Sequence, residues 1–126
     1  MFDIKILLLI GSGGFAGSIL RYVISMGVQN KFLSSFPYGT LSVNVIGSFL
    51  IGVVYALVER GNLSPETRIF LATGLLGGFT TFSAFSLDAL NLLHEGLWLE
   101  GATYIVTSVL LGIAFAFLGL LTIKLI

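Results

Sequence analysis

Apolar and polar positions in this chain do not alternate. The apolar ones run in four long blocks divided by short polar breaks. The blocks extend from about Ile4 to Val28, Tyr38 to Val58, Thr67 to Leu93 and Leu99 to Ile126. Each is near the ~20 residues an α-helix needs to cross the hydrocarbon core of a bilayer. The pattern predicts an all-α protein, residues 1–126 forming one domain of four transmembrane helices at 4–28, 38–58, 67–93 and 99–126. Gln29 to Phe36, closed by Pro37, reads as the first connection, Glu59 to Glu66 as a polar turn, and His94 to Glu100 as the third. Ser64 before Pro65 and Glu66 has the form of an N-cap with proline in the first helical turn.

Composition fixes the solvent. Hydrophobic residues make up 56% of the 126 and charged residues 10%, against roughly 25% charged in a soluble domain. Mean hydropathy is +1.07. A chain of this size cannot hide so much apolar surface from water, so lipid is the implied surroundings. Six Lys and Arg balance six Asp and Glu with no basic block, which argues against a nucleic-acid partner. The lack of cysteine excludes disulfides and thiolate sites, and the single His94 excludes a multi-histidine metal site. No nucleophile–base pair stands out, so an enzyme is not expected. The first apolar run has no basic n-region and reads as a retained helix, not a signal peptide.

Charge says little about orientation. Four spans put both termini on the side of the second connection, with Lys5, Arg60, Arg68 and Lys124; the other side has Lys31, joined by Arg21 if it reaches out. The bias favours cytoplasmic termini, but these charges are scattered singly, and a chain so thinly flanked is compatible with insertion both ways. Small residues say more about packing. Gly13 with Gly17, Gly74 with Gly78, and Gly47-Ser48 with Gly52 form narrow faces that let helix backbones approach in lipid. Tight packing of four helices leaves little room for a pathway within one chain, so a second copy is expected.

The stretch Gly74-Leu75-Leu76-Gly77-Gly78-Phe79-Thr80-Thr81-Phe82-Ser83-Ala84-Phe85-Ser86 departs from plain membrane filler. Glycine weakens a helix, and threonine hydroxyls can bond carbonyls of the preceding turn. An opening of the backbone is expected here, and at bilayer depth that requires burial in protein or a wet cavity. Phe79, Phe82 and Phe85 recur every third residue, as on one helix face, interleaved with hydroxyls. Ring edges are positive and, with hydroxyl and amide donors, suit a small anion; an apolar stripe is the plainer alternative. Asn44 lies inside the second span, where its amide either bonds another helix or serves such a path. Arg21 either snorkels or lends positive charge to a vestibule. Tyr104 and Ser108 extend a donor track on the fourth span; Thr103 and Thr107 form a parallel pair on a neighbouring face.

Together these motifs resemble the Fluc/CrcB fluoride channel family along essentially the whole chain. Gly13-Gly14-Phe15-Ala16-Gly17-Ser18-Ile19-Leu20-Arg21-Tyr22 is similar to the family's GGxxGAxxRY, with Ser18 where alanine is usual. Gly39-Thr40-Leu41-Ser42-Val43-Asn44-Val45-Ile46-Gly47-Ser48-Phe49 matches GTLxVNxxGSF. Gly77 to Phe85 matches GGxTTFSTF except for Ala84, and Asp88 stands where glutamate is common. The resemblance implies an antiparallel, dual-topology homodimer in the cell inner membrane, its third helix broken mid-membrane, with two pores that export fluoride passively. It assigns Phe82, Phe85, Asn44, Tyr104 and Ser108 to the fluoride pathway, with Thr40 and Ser83 as weaker candidates, although some members carry a further hydroxyl where this chain has Gly112. It puts Arg21 in the vestibule and gives the backbone carbonyls of Gly77 and Thr80 to a central sodium ion, oxygen ligands being what a hard cation takes. A small proton-coupled multidrug exporter is the rival, but it needs an intramembrane carboxylate, and Asp3 and Asp88 both lie toward span ends. A non-conducting assembly subunit would leave Asn44 and the phenylalanine–threonine pattern without a use.

Overall fold

The computed structural model describes residues 2–126. Four helical spans carry the chain, each long and apolar enough to cross a membrane. Helix α1 covers Ile4–Gln29 and α2 covers Tyr38–Glu59. The third span is composite: α3 (Pro65–Arg68), a π-helix (Ile69–Leu76), α4 (Gly77–Phe79) and, after a two-residue break, α5 (Phe82–His94). Helix α6 covers Trp98–Lys124.

Local chemistry sets the helix starts. Asp3 accepts the Lys5 N–H at 2.9 Å, and Ser64 Oγ accepts the Thr67 N–H at 3.1 Å ahead of Pro65. These caps satisfy donors that a helix N-terminus otherwise leaves bare. Exposed ion pairs join helix ends on one side: Lys5 to Glu66 at 3.3 Å and Lys124 to Glu59 at 3.7 Å. Both pairs are solvent-exposed and screened, so they add little to stability.

Packing is by backbone approach more than by large side chains. Helix α2 lies chiefly against α6, and α1 against the first half of the third span. A Cβ on Gly52 would run into the Ala116 carbonyl oxygen, and one on Gly119 into that of Phe49. Gly13, Gly17, Gly74 and Gly78 likewise leave α1 almost touching the third span. Gly47 belongs to a narrow face too, but its neighbour is Thr80 at the break and not α6.

Two small clusters form the core. Val43, Val54, Leu76 and Phe79 pack where the first half of the third span meets α2. Ala89, Leu92 and Tyr104 pack where α5 meets α6, with Phe36, Leu41 and Phe85 at the margin. The two halves of the third span therefore belong to different clusters, and the break lies between them. Large apolar residues such as Phe15, Leu110 and Phe117 remain outward-facing, as on a surface meant for lipid or a second chain.

Candidate functional site

The helix opens at threonine, not glycine. Gly77 keeps right-handed helical angles, φ −62° and ψ −38°. Among the described residues, glycines with positive φ are confined to Gly61 and Gly96, both in connections. Thr80 (φ −90°, ψ 153°) and Thr81 (φ −150°, ψ 120°) are extended instead. The glycines of this stretch serve close approach to α1, while hydroxyls and an amide make the break.

Asn44 bridges the opened backbone. Its Oδ1 accepts the Thr81 N–H at 2.9 Å, and its Nδ2 donates to the Thr81 carbonyl at 3.2 Å. The Thr80 hydroxyl and N–H both donate to the Leu76 carbonyl, at 2.9 and 3.0 Å, sealing the end of α4. Thr81 Oγ1 accepts the Ala84 N–H at 3.1 Å and so caps α5. In an unbroken α-helix the Thr81 N–H would close on the Gly77 carbonyl and the Ala84 N–H on the Thr80 carbonyl. Both donors are turned to side chains, so the carbonyls of Gly77 and Thr80 lose their helical partners. The Gly78 carbonyl is met by Arg21 Nε at 3.1 Å. Arg21 thus braces the break from α1, a contact that its place in the first span did not suggest.

An open groove of about 380 Å³ lies against the break. Helix α2 lends it Asn44, Gly47 and Ser48; the break lends Gly77, Thr80 and Thr81; α5 lends Phe82 and Phe85; and α6 lends Ser108. The lining has no ionised side chain. It offers amide and hydroxyl dipoles beside aromatic rings, which suits a small ion held without a full countercharge. Ser108 Oγ is buried with no hydrogen-bond partner among the described residues. Phe82 and Phe85 sit with ring centroids 5.4 Å apart.

Other candidates stand back from the groove. Phe79 is 5% exposed and packs in the core on the far side of the break, so the three-phenylalanine stripe is split and only Phe82 and Phe85 reach the groove. Tyr104 is fully buried and donates its hydroxyl to Asp88 Oδ2 at 3.3 Å. Its ring backs Phe85, centroids 5.4 Å apart. Ser83 Oγ shares a hydrogen bond with Thr81 Oγ1 at 3.0 Å, and Thr40 is half-buried one turn before Asn44. On α6, Thr107 bonds back to the Thr103 carbonyl at 2.6 Å, leaving Ser108 as the hydroxyl of that helix in the groove lining.

A family model described as CrcB-like protein, Camphor Resistance (CrcB), matches residues 8–120. The chain is 50% identical over 115 residues to the fluoride-specific ion channel FluC of Rhizobium meliloti (strain 1021), covering 90% of this chain and 92% of that protein. It is 48% identical over 113 residues to the fluoride-specific ion channel FluC of Shewanella sp. (strain ANA-3), covering 90% and 91%. Identity is 47% over 116 residues to that of Phocaeicola vulgatus, covering 92% and 96%. With four spans of membrane length and a match from the first helix to the last, this multi-pass membrane protein belongs to the CrcB family.

Proposed function

We propose that this protein is a fluoride-selective channel that lets fluoride leave the cell passively across the inner membrane. The observation that carries the proposal is the groove itself. Phe82, Phe85, Asn44 and Ser108 bring ring edges and uncharged donors to one cavity beside an opened helix. Ring edges and dipoles stabilise a small anion, and conduction needs binding weak enough to release it. The relatives at about half identity are named fluoride-specific ion channels.

Phe82 is 80% exposed on the groove, and Gly77 is exposed beside it. Opened backbone cannot face lipid, which supports a second copy of this chain closing the groove. The antiparallel, dual-topology homodimer is the assembly proposed, in keeping with the weak charge bias. The freed carbonyls of Gly77 and Thr80 fit a hard cation in donor type. Two per chain are few for such an ion, so the same pair from a second copy would complete a structural sodium site between subunits. Its positive charge would steady the opened backbone. Arg21, bound to Gly78, would add positive potential near the route.

Purified protein in fluoride-loaded liposomes is expected to release fluoride at channel rates and to hold back chloride. Proton- or drug-coupled exchange in place of passive flux would overturn the channel reading in favour of an exporter. For the assembly, single cysteines placed in the first and second connections should be labelled from both sides of the membrane. Labelling of each position from one side alone would eliminate dual topology.

A further inference from the structure

Aromatic rings run unbroken from the α1–α2 connection to the groove. Phe36 meets Tyr104 edge-on, centroids 5.7 Å apart and planes at 87°. Tyr104 lies against Phe85, and Phe85 against Phe82, each pair 5.4 Å apart. Within the connection and the start of α2, the ring centroids of Phe36 and Tyr38 are 4.8 Å apart, and Tyr38 stacks on Phe32 with centroids 4.3 Å apart.

The connection that presents Phe36 is itself tied down. Gln29 Nε2, at the end of α1, donates to the carbonyls of Ser34 and Phe36 at 3.3 and 3.1 Å. Gln29 Oε1 accepts the Gly39 N–H at 3.0 Å, and Ser34 Oγ accepts the Phe36 N–H at 3.1 Å. Tyr104, the ring between Phe36 and Phe85, is fully buried and donates its hydroxyl to Asp88 Oδ2 at 3.3 Å. Edge-to-face pairs have a preferred geometry, so the placement of Phe36 reaches Phe85 through one intervening ring.

We propose that Phe36 is a positioning residue for the ion path: through Tyr104 it sets the tilt of the Phe85 ring, and so which edge Phe85 offers to the groove, while Gln29 holds Phe36 in place. The inference rests on the fluoride-channel reading. It makes a connection outside the groove a determinant of throughput and selectivity.

The test is fluoride and chloride flux per active channel in liposomes for the wild type, Phe36→Leu, Phe36→Tyr and Gln29→Ala. Phe36→Leu keeps apolar bulk and removes the ring edge. Its fluoride throughput per active channel should fall roughly threefold to tenfold, the change that loss of one aromatic pair corresponds to, and its discrimination against chloride should weaken. Phe36→Tyr should restore both, and Gln29→Ala should repeat the leucine defect in milder form. A merely structural role would lower the yield of active channels and leave throughput per channel alone. Wild-type throughput and selectivity in Phe36→Leu would overturn the inference; should that variant not fold, unchanged throughput in Gln29→Ala would do so. Failure of the wild type to pass fluoride would instead count against the channel reading.

Discussion

Asn44→Leu is expected to abolish fluoride passage and to cost more stability than any other single change at the groove. Leucine has nearly the shape of asparagine and neither of its hydrogen-bonding ends. The Thr81 N–H and carbonyl, now held at 2.9 and 3.2 Å by the carboxamide, would be left without partners at membrane depth. An unsatisfied buried polar group costs about 1–3 kcal/mol, so the two together cost roughly 2–6 kcal/mol by the same measure. The least costly relief is for Thr81 to swing back toward helical angles and return its N–H to the Gly77 carbonyl. That would close the groove wall and withdraw a freed carbonyl in one motion. Asn44→Asp separates the two bonds: it keeps an acceptor for the Thr81 N–H, loses the donor to the carbonyl, and sets a carboxylate beside an anion route. It should recover part of the stability and none of the flux. Denaturation of the purified protein beside liposome flux reads both quantities. An Asn44→Leu protein as stable as the wild type would show that the amide does not hold the break open.

The same amide marks where sequence and structure part. The four spans were legible because lipid allows few ways to satisfy a backbone, and a long apolar run between polar turns has one outcome. The stretch around Gly77 was legible as a place of opening because glycines and threonines crowd there. Its cause was not. Composition pointed to the glycines, yet these stay helical and pack on α1, while Thr80 and Thr81 become extended. What opens the helix is a partner on α2, thirty-seven positions away in sequence, and no local propensity encodes that.

Periodicity failed at the same place for a related reason. Spacing by three puts Phe79 with Phe82 and Phe85 only while the helix is continuous, and the break sends Phe79 to the core. Tyr104 and Ser108 are one turn apart on α6, but Tyr104 is captured by Asp88 of α5 and only Ser108 is left on the groove. The eight-residue π-helix that precedes α4 had no signal in the sequence at all. Such widened turns gather at functional sites, and this one rotates Gly77 and Thr80 relative to the register an α-helix would give them. Arg21 is a different case: snorkelling and a vestibule were both open to it, and the sequence held no sign that its Nε also meets the Gly78 carbonyl.

A methyl group added at Gly47 should disturb the break from the opposite wall, and a methyl removed from Thr80 should repair it. The Cβ of Gly47→Ala would overlap Thr80 Cγ2 and lie 3.4 Å from Phe79 Cδ1. Thr80 cannot simply rotate away, because its hydroxyl is committed to the Leu76 carbonyl at 2.9 Å. Overpacking of this kind costs about 1–3 kcal/mol, and here the strain falls on a residue whose extended backbone forms the opening. Gly47→Ala is therefore expected to lower both stability and fluoride flux. Thr80→Ser deletes Cγ2 and keeps the hydroxyl, so alone it should be close to neutral in both. The double variant should regain most of what Gly47→Ala loses, giving a favourable coupling between residues in contact. Such recovery would separate the two parts of Thr80: its methyl group limits how near α2 comes, and its hydroxyl and backbone make the site. If Gly47→Ala stays impaired when Thr80→Ser is added, the contact that matters is with Phe79, and the glycine serves the core instead of the ion path.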